Sequence, residues 1–169
     1  GSASVAGAAE ETTLPPGCVD LVTAAQAFHW FEAGRCRREF ARILRSGGQV
    51  ALVWNERLLE ATPFLADDES LLQRRGTDYS QVNHLNIGGT QLGTFFGPGG
   101  YETHGYDYSQ SFDFEGLRGR LLSSSYAPNA GQPGHEAMLE ELAAIFNRHQ
   151  RGGQVAFLYA TKLYHGRLT

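Results

Sequence analysis

A run of polar and aromatic side chains directly follows the first apolar segment of the chain. Gln26, His29 and Trp30 come just after Val19–Ala24, a short apolar run with the pattern of a buried parallel strand. In open parallel sheets, ligands bind in the crevice beyond the carboxyl ends of the strands. The segment that begins at Gln26 is therefore a candidate site. His29 is its candidate general base, and the alternative is a hydrogen-bonded residue at the rim.

Other groups of reactive residues give weaker indications of a catalytic or metal site. A cluster of serines follows Asp113, but no Gly-x-Ser-x-Gly elbow of a hydrolase is present, so a cluster at a helix end is the better interpretation. Cys18 and Cys36 make neither a disulfide framework nor a metal site. The six histidines have no metal-ligand spacing, so we predict surface histidines and no metal. They are His29, His84, His104, His135, His149 and His165.

Composition narrows the class of protein further. The chain has 169 residues, of which 41% are hydrophobic, so we expect one globular domain with a real core. The net charge of -4 gives no electrostatic reason to expect a nucleic-acid partner. No apolar run approaches the ~20 residues of a membrane span, and no signal peptide is evident. We therefore expect no membrane association and a cytoplasmic location.

The first half of the chain has the pattern of a βαβ unit. After the strand Val19–Ala24, apolar residues recur at helical spacing from about Ala33 to Arg45, and Gly47-Gly48 is expected to end that helix. Gln49–Trp54 is almost continuously apolar and predicts a central strand covered on both faces.

Further helices and strands are predicted to alternate along the remainder, which favours an α/β layer architecture. The segment from Asp78 to Gly89 is polar and irregular. The predicted helices are Thr62–Gly76, Thr90–Phe96, Asp113–Ser123 and Pro133–Arg148, and the predicted strands are Tyr101–Phe112 and Val155–Tyr164.

Three short motifs together resemble one enzyme family. They are Ala25-Gln26-Ala27-Phe28-His29-Trp30, Arg45-Ser46-Gly47-Gly48 and Ala51-Leu52-Val53-Trp54-Asn55. In this order they resemble the middle of class I S-adenosylmethionine-dependent methyltransferases, of the type that acts on small molecules. The resemblance extends from about Gly7 to the C-terminus and is looser after Asn55.

The resemblance implies a fold. It is a Rossmann-like three-layer α/β sandwich with a mixed sheet, whose antiparallel last strand inserts between the fifth strand and Tyr101–Phe112. The family's Gly-rich turn and its ribose-binding acid have no counterpart before Glu10, so we expect an incomplete fold that lacks the first two strands. We expect one partial domain with a βαβ portion at about 7–55, helical cap segments and an edge strand at about 56–135, and the last helix and strand at 136–169.

The resemblance also implies roles for residues. Ala9 and Glu10 are expected beside the adenine of S-adenosyl-L-methionine. Gln26, Ala27, His29 and Trp30 are expected to line the pocket near the transferred methyl group. For Trp30 and its neighbour Phe31, the alternative is a hydrophobic staple at the start of a helix. We further expect a substrate cap that includes Tyr79, His84, Tyr126 and His149.

Two hypotheses of function follow. The first is methyl transfer to a small-molecule acceptor (an enzyme of the 2.1.1 class), with the complete enzyme binding the cofactor and this chain alone binding it weakly or not at all. The second is a non-catalytic fragment or partner subunit that assembles through the exposed edge of Val19–Ala24, as a homodimer or a strand-swapped assembly. The methyl acceptor stays open, as does whether the short start is natural, proteolytic or a cloning remnant marked by Gly1-Ser2.

Overall fold

The computed structural model describes residues 4–77, 79 and 89–169. Strands and helices alternate along these residues, as the sequence predicts. In chain order the elements are β1 (Val19–Ala25), a 3-10 turn (Phe28–Trp30), α1 (Ala33–Ile43), β2 (Leu44–Arg57), α2 (Pro63–Arg75), α3 (Gly89–Phe96), β3 (Glu102–Phe112), α4 (Phe114–Leu122), α5 (His135–His149) and β4 (Val155–Gly166). The segment expected to be irregular, Asp78–Gly89, lies almost wholly outside the described residues.

The described strands form one sheet in the order β1-β2-β4-β3. β1 pairs with β2 in parallel, with Leu21 opposite Gln49 and Ala25 opposite Val53. A parallel pair needs a crossover connection, and α1 provides it. The βαβ unit predicted from the sequence is therefore confirmed.

The last strand, β4, lies between β2 and β3 and runs antiparallel to β2. Gln49, near the start of β2, contacts His165 near the end of β4, whereas Asn55 farther along β2 contacts Thr161. Residue numbers therefore rise along one strand as they fall along the other. The sheet is mixed, as expected, with the last strand inserted at the predicted place.

Helix α1 begins and ends through local hydrogen bonds. The Glu32 carboxylate accepts hydrogen bonds from the backbone N–H groups of Gly34 and Arg35, which caps the helix at its start. The helix ends at Ile43, earlier than predicted, and Gly47-Gly48 lies inside β2. The φ of Gly47 is +83°, and the register with β1 shifts nearby, so this glycine serves a strand irregularity rather than a helix end.

The prediction that β1 is buried is wrong. Of its seven residues only Ala24 is buried, and Leu21 is 53% exposed. The reason is its position at one edge of the described sheet, because an edge strand has a neighbour on one side only. β2, by contrast, is central as predicted and buries Val50 and Leu52.

The ends of α2, α4 and α5 lie close to the positions predicted from the sequence. Thr62 accepts a hydrogen bond from Leu65 N at the start of α2, and Asp113 accepts one from Gly116 N at the start of α4. Both residues cap their helices, and each is the residue at which the sequence predicts the helix to begin. Helix α5 ends at His149, one residue beyond the predicted end at Arg148.

The chain divides into two compact units, each with an apolar cluster of its own. The first comprises the described residues of 1–55, 85–106 and 161–169, and the second those of 56–84 and 107–160. The cluster of the first unit is built around Phe28, Phe40 and Phe96, and that of the second around Leu71, Leu142 and Phe157. The division of a single domain at 7–55, 56–135 and 136–169 stays a prediction.

Among the described helices, none combines the length and the apolar character that crossing a bilayer requires.

Candidate functional site

The chain turns sharply where β1 ends, at Gln26. The φ of Gln26 is +50°, a left-handed conformation that is uncommon for residues other than glycine. Two hydrogen bonds hold it there, from Gln26 N to Val53 O and from Gln26 Nε2 to Asn55 O, at 2.9 and 3.2 Å. Strained backbone of this kind is concentrated at functional sites. The strain and the position after a parallel strand both favour this turn as a site.

Phe28 anchors the segment that follows. Its side chain is fully buried, and its ring makes T-shaped contacts with Phe31, Trp54 and Phe95. Aromatic pairs in this arrangement contribute more than the burial of their area alone. Because Phe28 is fixed inside the first unit, its two successors in the short 3-10 turn are directed toward the surface.

Those two successors are His29 and Trp30. Their rings lie 4.8 Å apart between centroids, and Trp30 is 79% exposed while His29 is half-buried. Of the two residues considered for a hydrophobic staple, Phe31 packs edge-on against Phe40 of α1, whereas Trp30 is largely exposed. The staple itself stays a prediction. Trp30 thus presents a large apolar face to solvent, which is a surface able to stack on a planar ligand.

Glu10 lies at the start of α1. Its Oε1 accepts a hydrogen bond of 2.8 Å from Glu32 N, and this bond lowers the pKa of Glu10 below its usual value. Glu10 is therefore ionised at neutral pH. Ala9 packs against the apolar cluster that contains Phe28. The structure thus brings Ala9 and Glu10 to the segment Phe28–Glu32, while Gln26 and Ala27 precede that segment at the end of β1.

Cys36 lies beneath the same segment but is not a nucleophile. Burial raises the pKa of Cys36 to about 12, and the carboxylates of Glu10, Glu32 and Glu39 add to the effect. The reactive form of cysteine is the thiolate, which is scarce at neutral pH when the pKa is this high. The thiol instead fills space in the core.

A cleft of about 430 Å³ opens between α1 and α3 in the first unit. Its walls are mainly apolar, and Arg37 at its side donates a hydrogen bond to Phe95 O at 2.8 Å. An aliphatic or aromatic group suits such a lining better than a charged one. The sequence does not reveal it, because its walls come from helices more than fifty residues apart. The lining residues are Ala33, Gly34, Arg37, Thr90, Gln91, Thr94 and Phe95.

A buried charged cluster in the second unit is also not evident from the sequence. Arg57 donates hydrogen bonds to Asp68 at 2.9 Å, to Glu69 at 2.5 Å and to the Tyr79 hydroxyl at 2.8 Å. Burial raises the pKa of Asp68, and the nearby Arg57 opposes that rise. Each charge of this cluster has a partner, so we interpret it as a structural network rather than a reacting centre.

Of the residues expected in a substrate cap, two meet. The rings of Tyr79 and Tyr126 lie 4.9 Å apart between centroids. His149 instead contacts Asp67 at 2.7 Å. His84 lies outside the described residues. The cap stays a prediction.

Comparison with known proteins supplies the context of these residues. Residues 2–52 match the family model described as a methyltransferase domain. An uncharacterized methyltransferase of Mycobacterium tuberculosis is 51% identical over 51 residues, which are 30% of this chain and 21% of that protein. An uncharacterized methyltransferase of Schizosaccharomyces pombe is 30% identical over 165 residues, which are 94% of this chain. This chain spans 62% of the length of that relative.

Among solved structures, a protein described as a type II methyltransferase from Anaeromyxobacter dehalogenans is similar with a TM-score of 0.67 and 22% identity. The similarity covers 96% of this chain and 70% of that one. At this identity the match establishes the fold. The Rossmann-like α/β fold with a mixed sheet and the family resemblance, both predicted from the sequence, are confirmed.

Proposed function

Because the chain is recognised by sequence and fold as a class I S-adenosylmethionine-dependent methyltransferase, we propose that it takes part in methyl transfer from that cofactor to a small-molecule acceptor. The proposal concerns the whole protein, since the chain spans about three fifths of the Schizosaccharomyces pombe relative. The turn after β1 supports it most directly. Gln26 is held there in a left-handed conformation, and Trp30 is exposed beside His29, all within the matched residues 2–52.

The described residues fit one wall of a cofactor site. Trp30 offers an aromatic face, and the ionised Glu10 offers carboxylate oxygens that accept hydrogen bonds. Neither a Gly-rich turn between a strand and a helix nor a strand-terminal acid for the ribose occurs in the part of the chain that the structure describes. We therefore propose that this chain alone binds S-adenosyl-L-methionine weakly. Ala9 and Glu10 are assigned to the adenine end, and Gln26, Ala27, His29 and Trp30 to the methyl end.

The chemistry that this assignment requires is modest. In methyl transfer a sulfur–carbon bond breaks as a bond from carbon to the acceptor forms in line with it, so positioning carries much of the rate. We assign to Trp30 the role of covering one side of the bound cofactor. To His29 we assign the role of accepting a proton from an acceptor that must lose one.

A second candidate function is that of a non-catalytic partner subunit. The edge position of β1 and the 53% exposure of Leu21 favour it, because an exposed apolar edge can pair with another chain. The two candidates are separated by ligand binding at the turn that follows β1.

The test uses the chain's two tryptophans, Trp30 and Trp54. In a Trp54→Phe variant the tryptophan emission comes from Trp30 alone, and in the matched Trp30→Phe variant it comes from Trp54 alone. S-adenosylhomocysteine is titrated into both. We expect saturable quenching in the Trp54→Phe variant, with a Kd near 1 mM, and no saturable change in the Trp30→Phe variant.

Equal responses in the two variants would contradict the assignment of Trp30 to the site. A Kd in the micromolar range, measured by calorimetry on the unmodified chain, would overturn the proposal of weak binding and place a complete site on this chain. Absence of any binding at several millimolar would favour the non-catalytic subunit.

A further inference from the structure

Three potential metal ligands converge on the sheet of the first unit. Glu102 and His104 are two residues apart on β3, so both side chains lie on the same face of that strand. His165 lies on β4, the neighbouring strand. The side chains meet across 61 residues of sequence, which is why the spacing of the histidines predicts no metal site.

The three ligand atoms are spaced as a bound ion requires. His104 Nε2 and His165 Nε2 are 3.1 Å apart, and Glu102 Oε2 is 3.6 Å from each of them. A triangle with these sides has a circumscribed radius of about 2.0 Å, so one point lies at that distance from all three atoms. Zinc binds imidazole nitrogen and carboxylate oxygen at roughly 2.0–2.2 Å.

A further residue orients one of these ligands. His165 Nδ1 lies 3.4 Å from Gln49 Oε1, an acceptor, so the proton of this ring belongs on Nδ1. His165 Nε2 is then the unprotonated nitrogen and can bind an ion. Histidines that bind metals usually donate their second N–H in this way, so Gln49 completes the arrangement expected around a metal site.

The site is accessible to solvent. The exposed fraction is 27% for the His165 side chain, 44% for His104 and 75% for Glu102. An ion can therefore enter without a change of the fold, and water can occupy the remaining coordination position. Two imidazoles and one carboxylate favour a borderline transition metal over Mg²⁺ or Ca²⁺, which prefer oxygen ligands only.

We propose that Glu102, His104 and His165 form a binding site for a divalent transition-metal ion of the zinc class. The ion links the edge strand β3 to β4. Since it binds the folded chain and holds two strands together, it raises the thermal stability of the protein. In the absence of an ion, the same atoms form a hydrogen-bonded histidine pair beside a carboxylate.

The test is a calorimetric titration of the chain with Zn²⁺ alone, together with its melting temperature with and without Zn²⁺. We expect one ion per chain and a higher melting temperature. His104→Gln and His165→Gln should each remove that binding event and the rise in melting temperature. Gln49→Leu, which removes only the orienting acceptor, should weaken binding about tenfold.

His149→Gln is the matched control, since it removes an imidazole from the second unit, where the ring contacts Asp67. It should leave the Zn²⁺ affinity unchanged. Circular dichroism without metal verifies that each variant is folded. The proposal is overturned if the unmodified chain binds no Zn²⁺, or if folded His104→Gln and His165→Gln variants bind it as tightly as the unmodified chain does.

Discussion

Glu39 illustrates how one side chain in this protein joins segments that are far apart in sequence. Its carboxylate is 8% exposed, and it accepts hydrogen bonds from Thr12 N at 2.8 Å, Thr12 Oγ1 at 2.5 Å and the guanidinium of Arg42. These hydrogen bonds lower the pKa of Glu39 to about 2. The bond from Arg42 is the largest cause, and the bonds from Thr12 add to it. The carboxylate thus holds the segment before β1 to helix α1 for as long as it is ionised.

This lowered pKa predicts a stability change in acid. The ordinary pKa of a glutamate is 4.5, so the contribution of Glu39 is fully present above that pH and is lost as the pH falls toward 2. We expect Glu39→Gln to lower the melting temperature at pH 7. The difference from the unmodified chain should shrink between pH 4.5 and pH 2. Thermal unfolding followed by circular dichroism across this range measures it.

Glu60→Gln, at an exposed carboxylate, is the control for a change of net charge alone. It should alter the melting temperature little at any of these pH values. A difference between Glu39→Gln and the unmodified chain that stays constant from pH 7 to pH 2 would contradict the role assigned to Glu39.

At the scale of single elements, helix α2 depends on its first residues. Thr62 accepts a hydrogen bond from Leu65 N, and Pro63 occupies the first turn. Backbone N–H groups in the first turn have no acceptor within the helix, so a proline there removes no helical hydrogen bond. The helix buries Phe64, Leu65, Leu71 and Leu72 in the cluster of the second unit. A weaker helix start therefore affects the core that this helix helps to form.

We expect Thr62→Ala to lower the free energy of unfolding by about 1 kcal/mol, because one backbone N–H of the first turn loses its partner. Thr62→Ser keeps the hydroxyl and should stay close to the unmodified chain. Urea denaturation gives the free energies, and hydrogen exchange at Leu65 N reports the cap itself. Unchanged protection of Leu65 N in Thr62→Ala would show that the cap does not hold this helix start.

At the scale of the whole molecule, β1 and β3 are the two edges of the sheet that the described residues form. Large apolar side chains are exposed on both, with Leu21 53% and Tyr106 56% exposed. β1 is short and parallel to its neighbour β2. Assembly of the chain through Val19–Ala24, as a homodimer or a strand-swapped form, stays a prediction. An apolar edge of this kind favours pairing with a second chain.

We expect the chain to dimerise as its concentration rises, and Leu21→Lys to shift it toward the monomer, because a charge on an edge strand opposes pairing. Tyr106→Lys places the same charge on the other edge and should leave the dimer intact. Light scattering after size exclusion measures both. A monomer at every concentration of the unmodified chain, or equal effects of the two variants, would contradict assembly through β1.

Local patterns were sufficient to predict most of the elements. The helix spacing of Cys36, Phe40 and Ile43 is set by contacts within one helix, and the caps at Thr62 and Asp113 need only their own first turns. The three motifs at residues 25–30, 45–48 and 51–55 together indicated the family and, through it, the order of the strands. Each of these features depends on residues that are close together in the chain, so they can be recognised without the fold.

The tertiary structure decided which distant residues meet and how deeply each is buried. Within the described sheet β1 has one neighbouring strand, and its exposure depends on that position. The cluster of Arg57 with Asp68 and Glu69 depends on the packing of α2 beside the end of β2. Strand pairing alone places the ring of His104 against that of His165. Such contacts join positions whose separation along the chain has no regular period, so no sequence pattern reports them. The helices, the strands and their local caps were therefore determined by the sequence itself, whereas the meeting of distant side chains required the folded sheet.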